Sequence, residues 1–234
     1  MRDLSTRKSG QLPLELPHDP ATGRDDLLVA TPLEQAVELI DRWPDWPSPV
    51  VVLVGPAGSG KTHLADIWRD HAGAQAIALD AASGAEAGAL ACAGPVLFED
   101  ADRVALDDAA LFHVINSVRQ HGTSLLMTAR TWPGMWPVSL ADLRSRLKAA
   151  TVVEIGEPDE ALLAQVIVKL FADRQLQIDL KLVDYIVQRM ERSMEAAQRI
   201  VDRIDFLALS RGTRVSRSVV QEALAEEGIA SAED

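Results

Sequence analysis

The chain of 234 residues has a single cysteine, Cys92. No disulfide can form within it, and no zinc site can be built on several thiolates. Positive charge is also scarce: 23 Lys and Arg face 35 Asp and Glu, a formal net charge of −12. A protein that grips nucleic acid through bulk charge needs the opposite balance. None of the stretches of the sequence supplies the roughly 18 consecutive apolar residues of a membrane span. The first residues lack the apolar core of a secretory signal, so a cytoplasmic protein without membrane attachment is expected. The five histidines show no zinc-ligand spacing. One Tyr and four Phe are few beside five Trp. Trp43, Trp46 and Trp132 each adjoin a proline and Trp136 precedes Pro137, placements that suit pinning loops better than stacking on bases. What is present is ordinary globular material, 47% apolar and 25% charged.

Residues 1–26 contain Pro13, Pro17, Pro20, Gly10 and Gly23 with no sustained period, which reads as an extended arm. Thr31-Pro32 offers a helix cap and a proline at the first helical position. Leu33, Ala36, Val37 and Ile40 follow at helical spacing until Trp43-Pro44 stops the run. Short apolar runs then stand at Val50–Val54, Gln75–Leu79, Pro95–Phe98, Ser124–Met127 and Thr151–Ile155, with helical stretches such as Lys61–Ala72 and Asp107–Gln120 between them. Continuous apolar strands alternating with helices predict an α/β domain with a parallel sheet sandwiched by helices. After Pro158 only helical periodicity remains, in four stripes that begin at Leu162, Leu182, Ile200 and Val219. The expected organisation is an arm over 1–26, an α/β domain over 27–156 and a small all-helical domain over 157–234. Cys92 falls in the Ala/Gly-rich stretch 81–94, where a buried thiol is expected.

Gly55-Pro56-Ala57-Gly58-Ser59-Gly60-Lys61-Thr62 matches the phosphate-binding pattern G-x-x-x-x-G-K-[ST], after a strand and at the start of a helix. Glycines let backbone N–H groups turn toward phosphate oxygens, and the helix N-terminus adds partial positive charge. Lys61 is expected to reach the β- and γ-phosphates of ATP or ADP, and Thr62 to place its hydroxyl on Mg²⁺. His63 follows on the same helix edge and joins the candidate nucleotide-binding residues. The strand Val96–Phe98 ends in Glu99-Asp100, the acidic pair such a site needs to hold Mg²⁺ and orient water. Either carboxylate can fill either role, with Glu99 taken toward the metal.

These residues resemble the AAA+ ATPases, in the branch of the bacterial replication initiator DnaA. The resemblance spans about residues 28–226. It rests on the loop Gly55–Leu64, the strand end Val96–Asp102, the segment Leu125–Pro133 and Leu143-Arg144-Ser145-Arg146-Leu147. It implies a P-loop AAA+ core followed by a helical lid. Within the branch the chain is similar to shortened relatives that lack a DNA-reading domain and inactivate the initiator after replication starts. The implied partners are DnaA and the sliding clamp, the β subunit of DNA polymerase III. DNA would be reached only through the clamp, and a homo-oligomer is possible. Gln11-Leu12-Pro13-Leu14-Glu15-Leu16 resembles the clamp-docking motif, with Gln11, Leu12, Pro13, Leu14 and Leu16 as contacts; Glu15 stands where such motifs usually have Pro. Packing of this segment on its own domain is the alternative.

Arg146 matches the family's arginine finger, which enters a neighbouring molecule's nucleotide site; a surface arginine paired with Asp142 or a lid carboxylate is the other reading of the same residue. Three departures from the family stand out. Glu99 occupies a usual Asp position, and Arg130 stands where a polar sensor is expected, with Thr128 the nearest uncharged candidate. In the third lid helix Glu195 aligns with the sensor arginine. Arg192 and Arg199 flank it on roughly the same helix face, and either or neither could substitute. The implied function is a nucleotide-bound regulator that stimulates hydrolysis by the initiator. A self-contained P-loop ATPase in helicase or clamp loading is the alternative.

Overall fold

The computed structural model describes residues 33–79, 84–103 and 107–228. The arm with Gln11, Leu12, Pro13, Leu14 and Leu16, and the helix start at Thr31-Pro32, lie outside the described residues. The chain divides into two compact units, with the change from one to the other between Asp159 and Glu160.

The first unit is built on a five-stranded parallel sheet. Its strands are β1 (Val50–Val54), β2 (Gln75–Ala76), β3 (Val96–Phe98), β4 (Leu125–Ala129) and β5 (Thr151–Glu154), in the order β2-β3-β4-β1-β5. All five residues of β1 are buried, as a Val/Leu run requires when helices cover both faces of a sheet. Helices α1 (Glu34–Asp41), α2 (Lys61–Ala72), α3 (Gly84–Ala93), α4 (Asp108–His121) and α5 (Ala141–Lys148) complete this unit. The core joins alternate residues of β1, β3 and β4 to the inward faces of α3, α4 and α5.

Three features differ from the sequence reading. β2 is shorter than Gln75–Leu79, because it is an edge strand paired with β3 alone. β4 runs two residues past Met127, since Thr128 and Ala129 are buried and paired with Leu53 and Val54. The stretch Gly84–Ala93 is a helix whose Cys92 is exposed rather than buried. Ala87 and Ala91, one turn apart, form its inward face, and Cys92 lies one residue beyond, turned away.

Trp43, Trp46 and Trp136 behave as expected of loop anchors, whereas Trp132 is 44% exposed. Trp43 donates its Nε1–H to Ser124 Oγ at 3.1 Å, and Trp46 donates to the Leu39 carbonyl at 2.7 Å. Trp46 stacks on the buried Trp68 with ring centroids 5.2 Å apart. Trp136 donates to the Thr131 carbonyl at 2.9 Å.

The second unit holds α6 (Glu160–Asp173), α7 (Leu180–Val187), α8 (Met194–Arg211) and α9 (Arg217–Glu226). The four apolar stripes pack into one core around Phe171, Ile186, Ile200 and Val220. Ser193 caps α8, its Oγ accepting from the Ala196 amide at 3.1 Å. Arg192 therefore precedes the helix and does not share a helical face with Arg199.

Candidate functional site

β1 delivers the loop 55–60 to the start of α2. The Gly55 amide donates to the Ala129 carbonyl at 3.1 Å, tying the loop's first residue to the end of β4. A Cβ on Gly55 would lie 2.3 Å from the Ile155 carbonyl oxygen, so only glycine fits between the loop and the chain leaving β5. Gly58 and Gly60 have φ of 68° and 96°, the left-handed region that glycine enters without steric cost. Among the described residues no acceptor meets the amides of Ala57, Gly58, Gly60, Lys61 and Thr62. Five unclaimed donors around a helix N-terminus are what an anion needs.

Lys61 is only 7% exposed. Its Nζ donates to the carbonyls of Gly55 at 2.8 Å and Pro56 at 2.6 Å, and lies 3.4 Å from Ser59 Oγ. Burial, and then the positive charge of Arg130, hold this ammonium below the ordinary lysine value; Asp100 and Asp102 act the other way. A desolvated cation held by neutral oxygens alone gains most from an anionic partner. The residues thus fit a phosphate group. Thr62 is exposed at the first turn of α2 and His63 is half-buried beside it. Mg²⁺ is usually held by one or two protein groups together with phosphate oxygens. Thr62 with the acids that follow β3 is a set of that kind.

After β3, Glu99 is half-buried and Asp100 is exposed with φ 50°. The Asp100 amide donates to the buried Thr128 Oγ1 at 3.0 Å. Asp100 and Asp102 are the acids whose charge acts on Lys61. Asp102, which the sequence marks only as part of an acidic run, grips the chain leaving β4. Its carboxylate accepts from the Arg130 amide at 3.1 and 3.0 Å, and from the Thr131 amide and hydroxyl at 2.8 Å each. Burial, the largest single influence, raises this carboxyl, but the hydrogen bonds outweigh it and leave the group below the usual aspartate range. Arg130 itself is exposed.

A second carboxylate organises the approach to α5. Asp108 accepts from Ser139 Oγ at 2.6 Å and from the amides of Ser139 and Leu140 at 2.7 and 3.0 Å. These bonds, the Ser139 hydroxyl first, hold its carboxyl below the usual range. Arg144 donates to the Val138 carbonyl at 2.7 Å. Arg146, in the last turn of α5, is half-buried in a hollow shared with Phe112, Arg119 and Asp142. It forms no ion pair with Asp142 or with any other described residue.

Solved structures share this architecture. Domain III of the replication initiation protein DnaA from Thermotoga maritima superposes with a TM-score of 0.73 at 13% identity, over 90% of this chain and 98% of that one. This chain shares the fold of that DnaA domain, an α/β core followed by helices. The RuvB Holliday junction branch migration motor of Thermotoga maritima matches with a TM-score of 0.68 at 17% identity, over 88% of this chain and 72% of that one. AMPPCP-bound DnaA from Aquifex aeolicus matches with a TM-score of 0.64 at 18% identity, over 77% of this chain and 64% of that one. No family model matches the sequence, and no curated protein matches it either.

In the helical unit the candidate sensor arginines have partners. Arg192 pairs with Glu160 at 2.6 Å. Arg199 pairs with Glu195 at 3.2 Å and Glu227 at 3.3 Å, with Glu191 at 4.0 Å. A phosphate contact by Arg199 would therefore require it to exchange these carboxylates.

Proposed function

We propose that this chain is a nucleotide-bound AAA+ regulator of replication initiation, of the kind called Hda, that promotes ATP hydrolysis by the initiator DnaA. In this reading the P-loop of the chain holds ADP or ATP with Mg²⁺ as a structural cofactor. The segment Gln11–Leu16 docks on the sliding clamp, which concentrates the regulator at DNA, and Arg146 acts in the active site of DnaA. The fold shared with DnaA domain III supports a side-by-side arrangement of like modules, in which one supplies a cation to the other's site. The observation that carries the reading is Arg146. It is half-buried, unpaired among the described residues and ends a helix tied down by Asp108 and Arg144. A guanidinium so placed can stabilise charge that develops on a transferred phosphoryl group, an effect of about 10³–10⁵ in rate for well-studied fingers.

The test is ATP hydrolysis by DnaA in the presence of clamp loaded on DNA, with wild type, Arg146→Ala and the double variant Leu12→Ala plus Leu14→Ala. Both variants are expected to lose stimulation. Arg146→Ala retains clamp binding, whereas the double variant loses it. Full stimulation by both overturns the reading. The P-loop with Glu99 and Asp100 in place favours a second reading, a self-contained ATPase. Sustained turnover of ATP by the chain alone, lost in Glu99→Gln or Asp100→Asn, would establish that one instead.

A further inference from the structure

We infer that one corner of the helical unit, formed by Arg189 after α7 and by Arg214 and Arg217 at the start of α9, is a contact for the phosphate backbone of duplex DNA. It adds a direct hold on DNA to the indirect one through the clamp. The helical unit contains eight arginines. Five are engaged by carboxylates: Arg174 by Asp202, Arg192 by Glu160, Arg199 by Glu195 and Glu227, Arg203 by Glu226, and Arg211 by Glu222. The other three, Arg189, Arg214 and Arg217, form no ion pair with any described residue. They gather in one place. The half-buried Tyr185 ring has the Arg189 guanidinium 3.9 Å and the Arg217 guanidinium 5.1 Å from its centre. Arg214 is exposed in the segment that enters α9, three residues before Arg217. Stacking on the ring steadies a planar guanidinium while its N–H edge stays available. Two cations at one ring with no carboxylate between them repel each other and gain together from an anion. The start of α9 adds donors. Ser216 stands at the cap position, but its hydroxyl is 3.0 Å from Ser218 Oγ and caps no helix amide. The amides of Arg217, Ser218 and Val219 meet no acceptor among the described residues, and a helix start left open in this way favours an anion. The large apolar side chains that the unit exposes all lie outside residues 185–190 and 213–218, so the corner lacks the apolar centre of a protein–protein interface. The Tyr185 ring is already taken by guanidiniums, which argues against a single strand held by base stacking. Donors alone, with forks that suit phosphate oxygens, fit the backbone of a duplex.

The experiment is fluorescence anisotropy of a labelled DNA duplex titrated with the full chain over a series of salt concentrations. A single strand of the same sequence and an acidic peptide serve as parallel ligands, and a thermal melt checks each variant. Clamp, initiator and nucleotide are all left out, so the outcome is independent of the function proposed above. Three neutralised phosphates give log K a slope of about −2.7 against log salt. Arg214→Ala and Arg217→Ala are each expected to reduce that slope by about 1 and to weaken binding about tenfold at low salt, alike for different duplex sequences. Arg217→Lys keeps the slope, and Arg119→Ala, which removes an exposed arginine of the first unit, changes nothing. All melting points match wild type. The assignment is overturned if the duplex does not bind at low salt, or if Arg214→Ala and Arg217→Ala bind it as wild type does. Tighter binding of the single strand than of the duplex also overturns it, as does a loss in these variants that falls on the acidic peptide and spares DNA.

Discussion

Replacing Asp102 with Asn isolates the charge of the carboxylate that clamps the exit of β4. The side chain keeps its shape, and the oxygen facing Thr131 N, Thr131 Oγ1 and Arg130 N at 2.8, 2.8 and 3.0 Å can remain an acceptor. The other oxygen, 3.1 Å from the Arg130 amide, becomes an NH₂ group facing a donor. Hydrogen bonds to a charged group contribute about 1.5–3 kcal/mol and neutral ones about 0.5–1.5 kcal/mol. Asp102 is only partly buried and water competes for it, so the lower part of that difference applies, about 1 kcal/mol. In a chain of this size that lowers Tm by about 2–4 °C. The pH dependence follows from the carboxyl being held below its ordinary value. Its stabilisation is complete above the unfolded value and is lost as pH falls through the folded value. The assay is urea unfolding of both proteins from neutral pH downward. The gap between their midpoints should be widest near neutrality and close in acid, where protonated Asp102 resembles Asn. Equal midpoints at neutral pH, or a gap that persists unchanged in acid, would refute the clamp.

Lys61→Met should weaken ATP binding by tenfold or more, yet leave the melting point without nucleotide unchanged or higher, because burial disfavours the wild-type charge. With a folded value below the ordinary one, wild-type Lys61 destabilises the empty protein fully below that folded value, and the penalty fades as pH rises from the folded value to the ordinary one. Lys61→Met should lack this alkaline gain, as unfolding across that range will show. Gly55→Ala places a methyl group 2.3 Å from the Ile155 carbonyl oxygen. The overpacking should cost about 1–3 kcal/mol, read as a lower midpoint in thermal unfolding without nucleotide.

The P-loop was legible in the sequence because cradling a phosphate demands particular residues in consecutive order, and the structure gives Gly58 and Gly60 the dihedrals that only such residues take freely. β1 was legible because five branched and apolar residues buried on both faces leave no other reading. The helix Gly84–Ala93 was not, since its Ala and Gly residues present no apolar period, and the exposure of Cys92 depended on it. β4 was read short because Thr128 breaks the apolar run, although its hydroxyl is satisfied by the Asp100 amide. The Asp102 clamp reaches across 28 residues, a separation at which no local pattern distinguishes a gripping carboxylate from a solvated one. Arg192 was misplaced by a single detail, the cap at Ser193 that starts α8 after it.

The tryptophans divide the first unit spectroscopically. Trp43 and Trp46 stand ahead of β1 and pack with the buried Trp68, at the opposite end of that strand from the phosphate loop. Trp132, 44% exposed, follows Arg130 by two residues, and Trp136 is bonded to the Thr131 carbonyl. The first group emits according to whether the sheet is folded, and the second senses what happens where β4 ends. With Trp43, Trp46 and Trp68 replaced by phenylalanine, the folded chain would carry its own optical reporter of the state of that end of the sheet, without an added dye.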